Sequence, residues 1–380
     1  MTPLPRARAL ALFLGLATSA WAQVAPPAQP AANPETPEAS PRLVLDARAQ
    51  ALGGALKTPQ MWQAYKARFI TEQGRVIDTG NNLTSHSEGQ GYGMLLAVAA
   101  NDRPTFDRIW GWTRANLMVR DDALLAWRWE PGKRPAVADM NDASDGDILV
   151  AWALAEAGDF WNDMSYRVAG RRIAVEVARK LALFKTKMGA ILLPAVSGFH
   201  QSDRRDGPIV NLSYYIFPAF ARLKLVAPEV DWPRLTQTGL DLLDATRTKP
   251  EALPPDWMSL KDWSVKPAEG LPAQFSYNAV RVPLYMAWAG IGKSEQYAPF
   301  MALVKKTRGA LSIVNPNGTE GGRFDGVGVG AIGALTACVV EGAKAPAQIF
   351  VLASSDNYYP ATLQMLSLIA MQVRYASCLR

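Results

Sequence analysis

The sequence predicts a mostly α-helical fold, and three observations carry that prediction. Apolar residues recur at helical spacing in about eleven windows along the 380-residue chain. Alternating strand patterns are short and few, Ile191 to Pro194 being the clearest. The regular β-α-β alternation of a doubly wound sheet or a TIM barrel is missing. Composition agrees: 49% of residues are hydrophobic and 19% charged. That supplies a sizeable core and is too apolar for a disordered chain.

The helical windows run in order as Met61–Ile70, Gly89–Ala100, Phe106–Leu117 and Asp147–Ala157, the last with Asp145 or Ser144 placed as its N-cap. They continue as Arg171–Phe184, Ser213–Val226, Pro233–Ala245 and Tyr277–Ile291. Glu295–Thr307, Val329–Glu341 and Pro360–Val373 complete the series. The series is too long for a four-helix bundle.

The N-terminus reads differently. Arg6 and Arg8 precede a mostly apolar stretch, Ala9 to Thr18, and Ala20-Trp21-Ala22 fits a cleavage site. Residues 1–22 are expected to be a signal peptide, because the run is shorter than the ~20 residues a membrane span needs. Val24 to Pro41 holds six prolines in 18 residues and no aromatic, so residues 23–42 are expected to be an extended linker. The folded domain then covers residues 43–380. It is expected to be soluble, monomeric and exported, periplasmic or secreted, with no membrane association after cleavage.

Charge and rare residues exclude several functions. The net charge of +6 comes from 40 basic and 34 acidic residues with no basic run, which argues against a nucleic-acid partner. The only histidines are His86 and His200, and the only cysteines Cys338 and Cys378. No metal site of ordinary zinc spacing and no G-x-S-x-G elbow exists, so neither a metal nor another cofactor is expected. The two cysteines fit either one disulfide or two buried thiols.

Three clusters carry chemistry. In Thr84 to Met94 (TSHSEGQGYGM), Glu88 sits at a loop-to-helix junction followed by glycines 89, 91 and 93. A capping box from Ser85 to Glu88 is the plain reading. Three glycines in the first helical turns cost ~1 kcal/mol each and need another reason. Close approach of another group, or a partly shielded carboxyl donor, would supply one. In Asn141 to Asp147 (NDASDGD), Asp142, Asp145 and Asp147 lead into an apolar helix. The glycine and closing glutamate of a calcium loop are out of place, which leaves acids aimed into a cleft. In Phe275 to Pro283 (FSYNAVRVP), Arg281 follows Asn278 by one helical turn and could bind a carboxylate or a sugar hydroxyl.

Twelve tryptophans and eleven tyrosines accompany these clusters, among them Trp127, Tyr214, Trp257, Tyr277 and Tyr359. Most are core, but their repeated placement beside Asp, Asn, Ser and Gly suits sugar stacking. Gly328 to Gly333 fits G-x-G-x-x-G but follows no buried strand, so it reads as the entry to a tightly packed helix.

Together the clusters resemble glycoside hydrolase family 8, and within it the periplasmic endoglucanases associated with bacterial cellulose synthesis. Ser87–Met94 (SEGQGYGM) looks like the family's general-acid motif, and Ala143–Trp161 is similar to its signature, departing at Val150. Asn211–Tyr214 (NLSY) and Ser355–Tyr359 (SDNYY) resemble two further motifs, so the likeness runs from Met61 to Tyr359. It implies an all-α (α/α)6 barrel of six inner and six outer helices. It also implies endo-acting, inverting hydrolysis of β-1,4-glucan, with the cellulose synthase machinery as a further partner. Glu88 would be the proton donor. Asp145 would be nucleophile, base or holder of the sugar ring. Tyr214, Tyr277, Asn278, Arg281, Trp127 and Asp142 would bind substrate.

One departure matters. The family's base is commonly an aspartate where this chain has Asn278, and an amide cannot take water's proton. Asp145, Asp142, Glu320 and Asp356 are the substitutes the sequence offers. Two readings follow: an endo-β-1,4-glucanase, with xylan or chitosan as rival substrates, or a glucan-binding accessory protein that has lost turnover.

Overall fold

The computed structural model describes residues 51–379. The expected signal peptide, the expected linker and the expected domain start at residue 43 lie outside the described residues. Among the described residues eleven helices form: α1 (Pro59–Phe69), α2 (Ser87–Ala99), α3 (Arg103–Asn116), α4 (Ser144–Phe160), α5 (Met164–Leu181), α6 (Phe217–Val226), α7 (Trp232–Thr246), α8 (Arg281–Ala289), α9 (Ser294–Lys306), α10 (Gly330–Glu341) and α11 (Tyr358–Arg374).

Burial sorts these helices into two layers. Every residue of α2 except Glu88 is buried, all of α8 is buried, and α4 is buried from Ser144 to Gly158. A helix apolar or small on every side must lie inside. The amphipathic helices α1, α3 and α5 bury one stripe each, for example Phe106, Ile109, Trp110 and Thr113 in α3. Packing closes the inner helices into a ring, α2 on α4, α4 on α6, α6 on α8, α8 on α10 and α11, and α11 back on α2. The remaining helices α1, α3, α5, α7 and α9 lie outside, one ahead of each of the first five inner helices. Only the short 3-10 turn Ala347–Phe350 occupies the link from α10 to α11. This is the (α/α)6 barrel, its sixth outer position reduced to one turn in the described residues.

Local chemistry fixes the boundaries. Asp102, Asp163 and Asp231 cap α3, α5 and α7 by accepting from backbone amides. Gly290 and Gly342, both left-handed, end α8 and α10. Strands are few: β1 (Ser85–His86) pairs with β2 (Arg128–Trp129), and β3 (Ala182–Thr186) with β4 (Gly189–Leu192).

The structure corrects several local expectations. The window Arg171–Phe184 begins earlier, at Met164, and its last apolar residues form β3, because an apolar run that short fits helix or strand equally. The capping box at Ser85 is absent: its hydroxyl donates to the Val76 carbonyl, and helix α2 begins only at Ser87. Neither Ser144 nor Asp145 caps α4, since both lie inside its first turn after Ala143. The window from Tyr277 starts four residues late, at Arg281. Cys338 and Cys378 form a disulfide that ties α10 to the last 3-10 turn.

The glycines of α2 have a packing reason. A side-chain carbon at Gly91 would stand 2.5 Å from Leu149 Cβ of α4, and one at Gly146 would collide with Ser87 Oγ. These two helices therefore approach backbone to backbone. Gly328 and Gly333 are similarly pressed against Pro360 and Gly309, so the G-x-G-x-x-G run is a packing device.

Candidate active site

The chemistry gathers where the inner helices begin. Glu88 is the second residue of α2, Asp145 the second of α4 and Arg281 the first of α8. Ser213 and Tyr214 lie on the 3-10 turn before α6, Phe324 and Asp325 precede α10, and Tyr359 is the second residue of α11. All six inner helices thus deliver side chains to one rim.

Arg281 is the hub. Its Nη1 donates to Glu88 Oε1, to Tyr92 OH at 3.2 Å and to Asp145 Oδ2 at 3.2 Å. Its Nη2 donates to Ser213 Oγ at 2.9 Å and Asn278 Oδ1 at 3.0 Å. The guanidinium carbon lies 5.9 Å from the centre of the Tyr214 ring. The planar fork of arginine suits such a many-sided grip. Glu88, Asp145, Asn278, Tyr214 and Arg281, all named from the sequence, are therefore brought together. Arg281 is buried and binds carboxylates, the first of its two expected uses.

Exposure separates the two acids. The Glu88 side chain keeps 21% of its surface open, whereas Asp145 keeps 4%. Burial first, and then the neighbouring Glu88 charge, push the Asp145 carboxyl up to about 7, against the pull of Arg281 and the Gly146 amide. Burial opposes the Arg281 charge, yet Glu88 and the surrounding tyrosines hold it firmly protonated. Burial and Asp145 raise the Tyr214 phenol well above its ordinary value.

Aromatic groups flank the hub. His86 stacks on Trp127 at 6.0 Å, beside Glu88, and the Ser87 amide donates to the Trp127 carbonyl. Burial lowers the His86 imidazole below its usual range. Tyr214 meets Trp257 edge-on at 5.9 Å, and Trp257 stacks on Phe199 at 5.5 Å. Tyr277 packs against Phe324 at 5.2 Å and Tyr359 at 6.1 Å. Half-exposed rings on both flanks of paired acids are the equipment of a sugar cleft.

Asp142 requires a correction. Its side chain is completely buried, Oδ1 accepts from the Val196 amide, and burial raises its carboxyl. A group sealed from solvent cannot touch a substrate, so it stands outside the site. Asp147 is likewise buried and fastens the Leu125 amide to α4. The three acids of this segment accept from different partners, although Asp142 and Asp145 lie close enough to help burial raise the Asp147 carboxyl.

Sequence reasoning missed Tyr92, Ser213 and Asp256. Tyr92 sits one turn after Glu88, a spacing that was readable. Asp256 accepts from the amides of Ser276, Asn278 and Ala279 at 3.0, 3.2 and 2.7 Å and from Ser276 Oγ. It thereby shapes the turn that launches α8 and holds it short of Tyr277. It lies 20 positions ahead of Ser276, across two short strands and a 3-10 turn, and no local pattern links them.

Fold and site define a class: a helical barrel with carboxylates and aromatic rings at the N-terminal rim of its inner helices. The chain belongs to the glycosyl hydrolases family 8, whose family model matches residues 44–373. An endoglucanase of Cellulomonas uda is 40% identical over 60% of this chain and 62% of its own length. A probable endoglucanase of Novacetimonas hansenii is 39% identical over 60% of this chain and 67% of its own. These alignments span about three fifths to two thirds of the curated relatives they match. The solved structure of endoglucanase Cel10 from Klebsiella pneumoniae superposes with a TM-score of 0.75 at 35% identity, covering 83% of this chain and 99% of that one.

Proposed function

We propose that the protein is an endo-β-1,4-glucanase that cuts cellulose-like chains internally with inversion. The observation that carries this reading is the clasp of Glu88 and Asp145 on Arg281 between aromatic walls at one open rim. Glu88, the more exposed acid, protonates the leaving glycosidic oxygen. Asp145 shares the Nη1 of Arg281 with Glu88, so its near oxygen lies within two hydrogen bonds of the donor. Inverting pairs stand ~6.5–9.5 Å apart to admit a water. That crowding suits Asp145 to holding the sugar ring rather than to activating water. Tyr214, Tyr277 and Trp127 offer ring faces to neighbouring sugars, and Asn278 and Arg281 fix the acids.

Relatives named endoglucanase support the reaction class. The signal-like N-terminus and the Cys338–Cys378 disulfide support export to an oxidising compartment. No helix among the described residues is long and apolar enough to cross a membrane. Action beside the cellulose synthase machinery, as a monomer, completes the proposal. The competing reading, a glucan-binding protein without turnover, rests on Asn278, whose carbonyl oxygen is spent on Arg281.

The test is viscosity and reducing ends of carboxymethylcellulose with the wild type beside Glu88→Gln. Rapid viscosity loss abolished by the substitution supports the enzyme. A folded wild type that binds cellohexaose without cutting it supports the binder.

A further inference from the structure

An inverting hydrolysis needs a second carboxylate, on the far side of the sugar from Glu88, to take a proton from water. Most acids near the rim are already committed. Asp256 is filled by three amides and a hydroxyl. Both oxygens of Asp356 accept from the amides of Val327 and Gly328, at 2.8 Å each. Asp142 and Asp147 are sealed in the core. Asp145 is pinned beside the donor. Asp139 accepts from Trp127 Nε1 at 2.8 Å, and Asp78 interacts with His86, so both stand on Glu88's own flank.

Asp325 differs from all of these. It is exposed, and it is reached from Arg281 Nη2 through Asn278 and its neighbour Tyr277, whereas Nη1 of the same guanidinium holds Glu88. Its Oδ2 accepts from Tyr277 OH at 3.2 Å, and Oδ1 takes no hydrogen bond among the described residues. The Tyr277 backbone is itself held by Tyr359, whose hydroxyl donates to the Tyr277 carbonyl at 2.5 Å. The loop that carries Asp325 is fixed behind it, since Asp356 holds the next two amides but one and Gly326 turns left-handed against Pro360. Five inner helices and the turns before them supply the Arg281 hub and its walls, and the loop leading into the sixth, α10, supplies this carboxylate.

We infer that Asp325 is the general base that activates the hydrolytic water, in a site where residue 278 is an amide. The inference rests on the glucanase reading above. In the step, water oxygen bonds to the anomeric carbon as the carbon–oxygen bond to the leaving sugar breaks. The Glu88 proton passes to the leaving oxygen, and the water proton passes to an Asp325 oxygen. Asp325 then releases that proton to solvent, and Glu88 takes one up. Tyr277 OH orients Asp325 from the side.

The experiment measures cellohexaose hydrolysis by wild type, Asp325→Asn and the double variant Asp325→Asn with Asn278→Asp, with and without azide. Asp325→Asn is expected to lower kcat about 100-fold or more, the usual worth of general base catalysis, with KM changed less than about 3-fold. Azide, which needs no deprotonation, should restore turnover and yield a glycosyl azide of α configuration. A carboxylate at 278 should restore hydrolysis in the double variant. Because Asp325 is exposed, its melting temperature should not change. An active wild type whose Asp325→Asn variant keeps more than a third of kcat overturns this assignment alone, as does a slow variant that azide does not rescue. A wild type that binds cellohexaose and never cuts it overturns the glucanase reading together with the base.

Discussion

Among the described residues, two buried arginine–carboxylate clusters are built from the same parts, and they behave differently. In the first, Arg222 of α6 meets Glu156 of α4 at 2.6 Å and Asp159 at 2.7 Å. Both Glu156 oxygens are filled, one by Trp152 Nε1 and Arg222, the other by Arg222 and the Leu52 amide. In the second, Arg281 holds Glu88 and Asp145, but polar atoms around it stay unpartnered. Among the described residues, Arg281 Nε, Ser144 Oγ, Ser87 Oγ and the Asn211 amide nitrogen are buried without a hydrogen bond. Satisfied networks lock helices together, and each unsatisfied buried group needs an explanation. The first cluster is a bolt between α4 and α6. The second leaves buried polar atoms unpaired and opens to solvent through Glu88, the edge a substrate can reach.

The sharpest way to test that contrast is to remove one acid from each cluster's chemistry. Glu88→Gln should lower cellulose hydrolysis by about 100- to 10,000-fold, the range for a lost general acid. Its unfolding midpoint in guanidinium should stay at or above that of the wild type, since a carboxylate beside buried Asp145 is gone. Arg222→Met should do the reverse. Stranding Glu156 in the core should cost about 3–5 kcal/mol of stability in the same titration. Activity per folded molecule should survive. Equal loss of activity in both variants would dissolve the distinction.

A smaller effect concerns pH. The folded Asp145 carboxyl titrates near 7, above its value of ~3.9 in an unfolded chain. The native state therefore binds more protons between those values, so this group's contribution to stability falls as pH rises from about 4 to 7. Chemical denaturation across that window should show a shallower fall for Asp145→Asn than for the wild type. An unchanged slope would mean the carboxyl is not strained by burial. The smallest effect belongs to the walls. Trp127→Ala should raise KM about fivefold, ~1 kcal/mol of ring contact, while leaving kcat nearly intact; a fall in kcat without a change in KM would place Trp127 in the chemistry instead.

How much of this was legible in the sequence follows from the range of the forces. Helix positions were readable because periodicity is local, and the inner helices announced themselves by apolar residues on every side. Glu88, Asp145 and Arg281 were readable because each sits in a short polar motif beside an apolar helix. Their meeting on one nitrogen was not, because 136 residues separate Asp145 from Arg281. Asp142 misled for the opposite reason: it shares a motif with Asp145, yet the chain turns into α4 between them and sends it to the Val196 amide. β3 was hidden inside a helical window because its partner β4 lies beyond the turn that follows it.

The glycine contact between α2 and α4 has a wider consequence. Gly91 rests on Leu149 one turn below Glu88, and Gly146 rests on Ser87 one residue after Asp145. The gap between the two acids is therefore gauged by hydrogen atoms where other residues carry side chains. A single methyl group at either position would act as a wedge, prising the acids apart without touching a sugar. The reach of this active site is set by residues with no chemistry at all, and the tolerance for change there should be narrower than at many of the polar and aromatic groups of the rim.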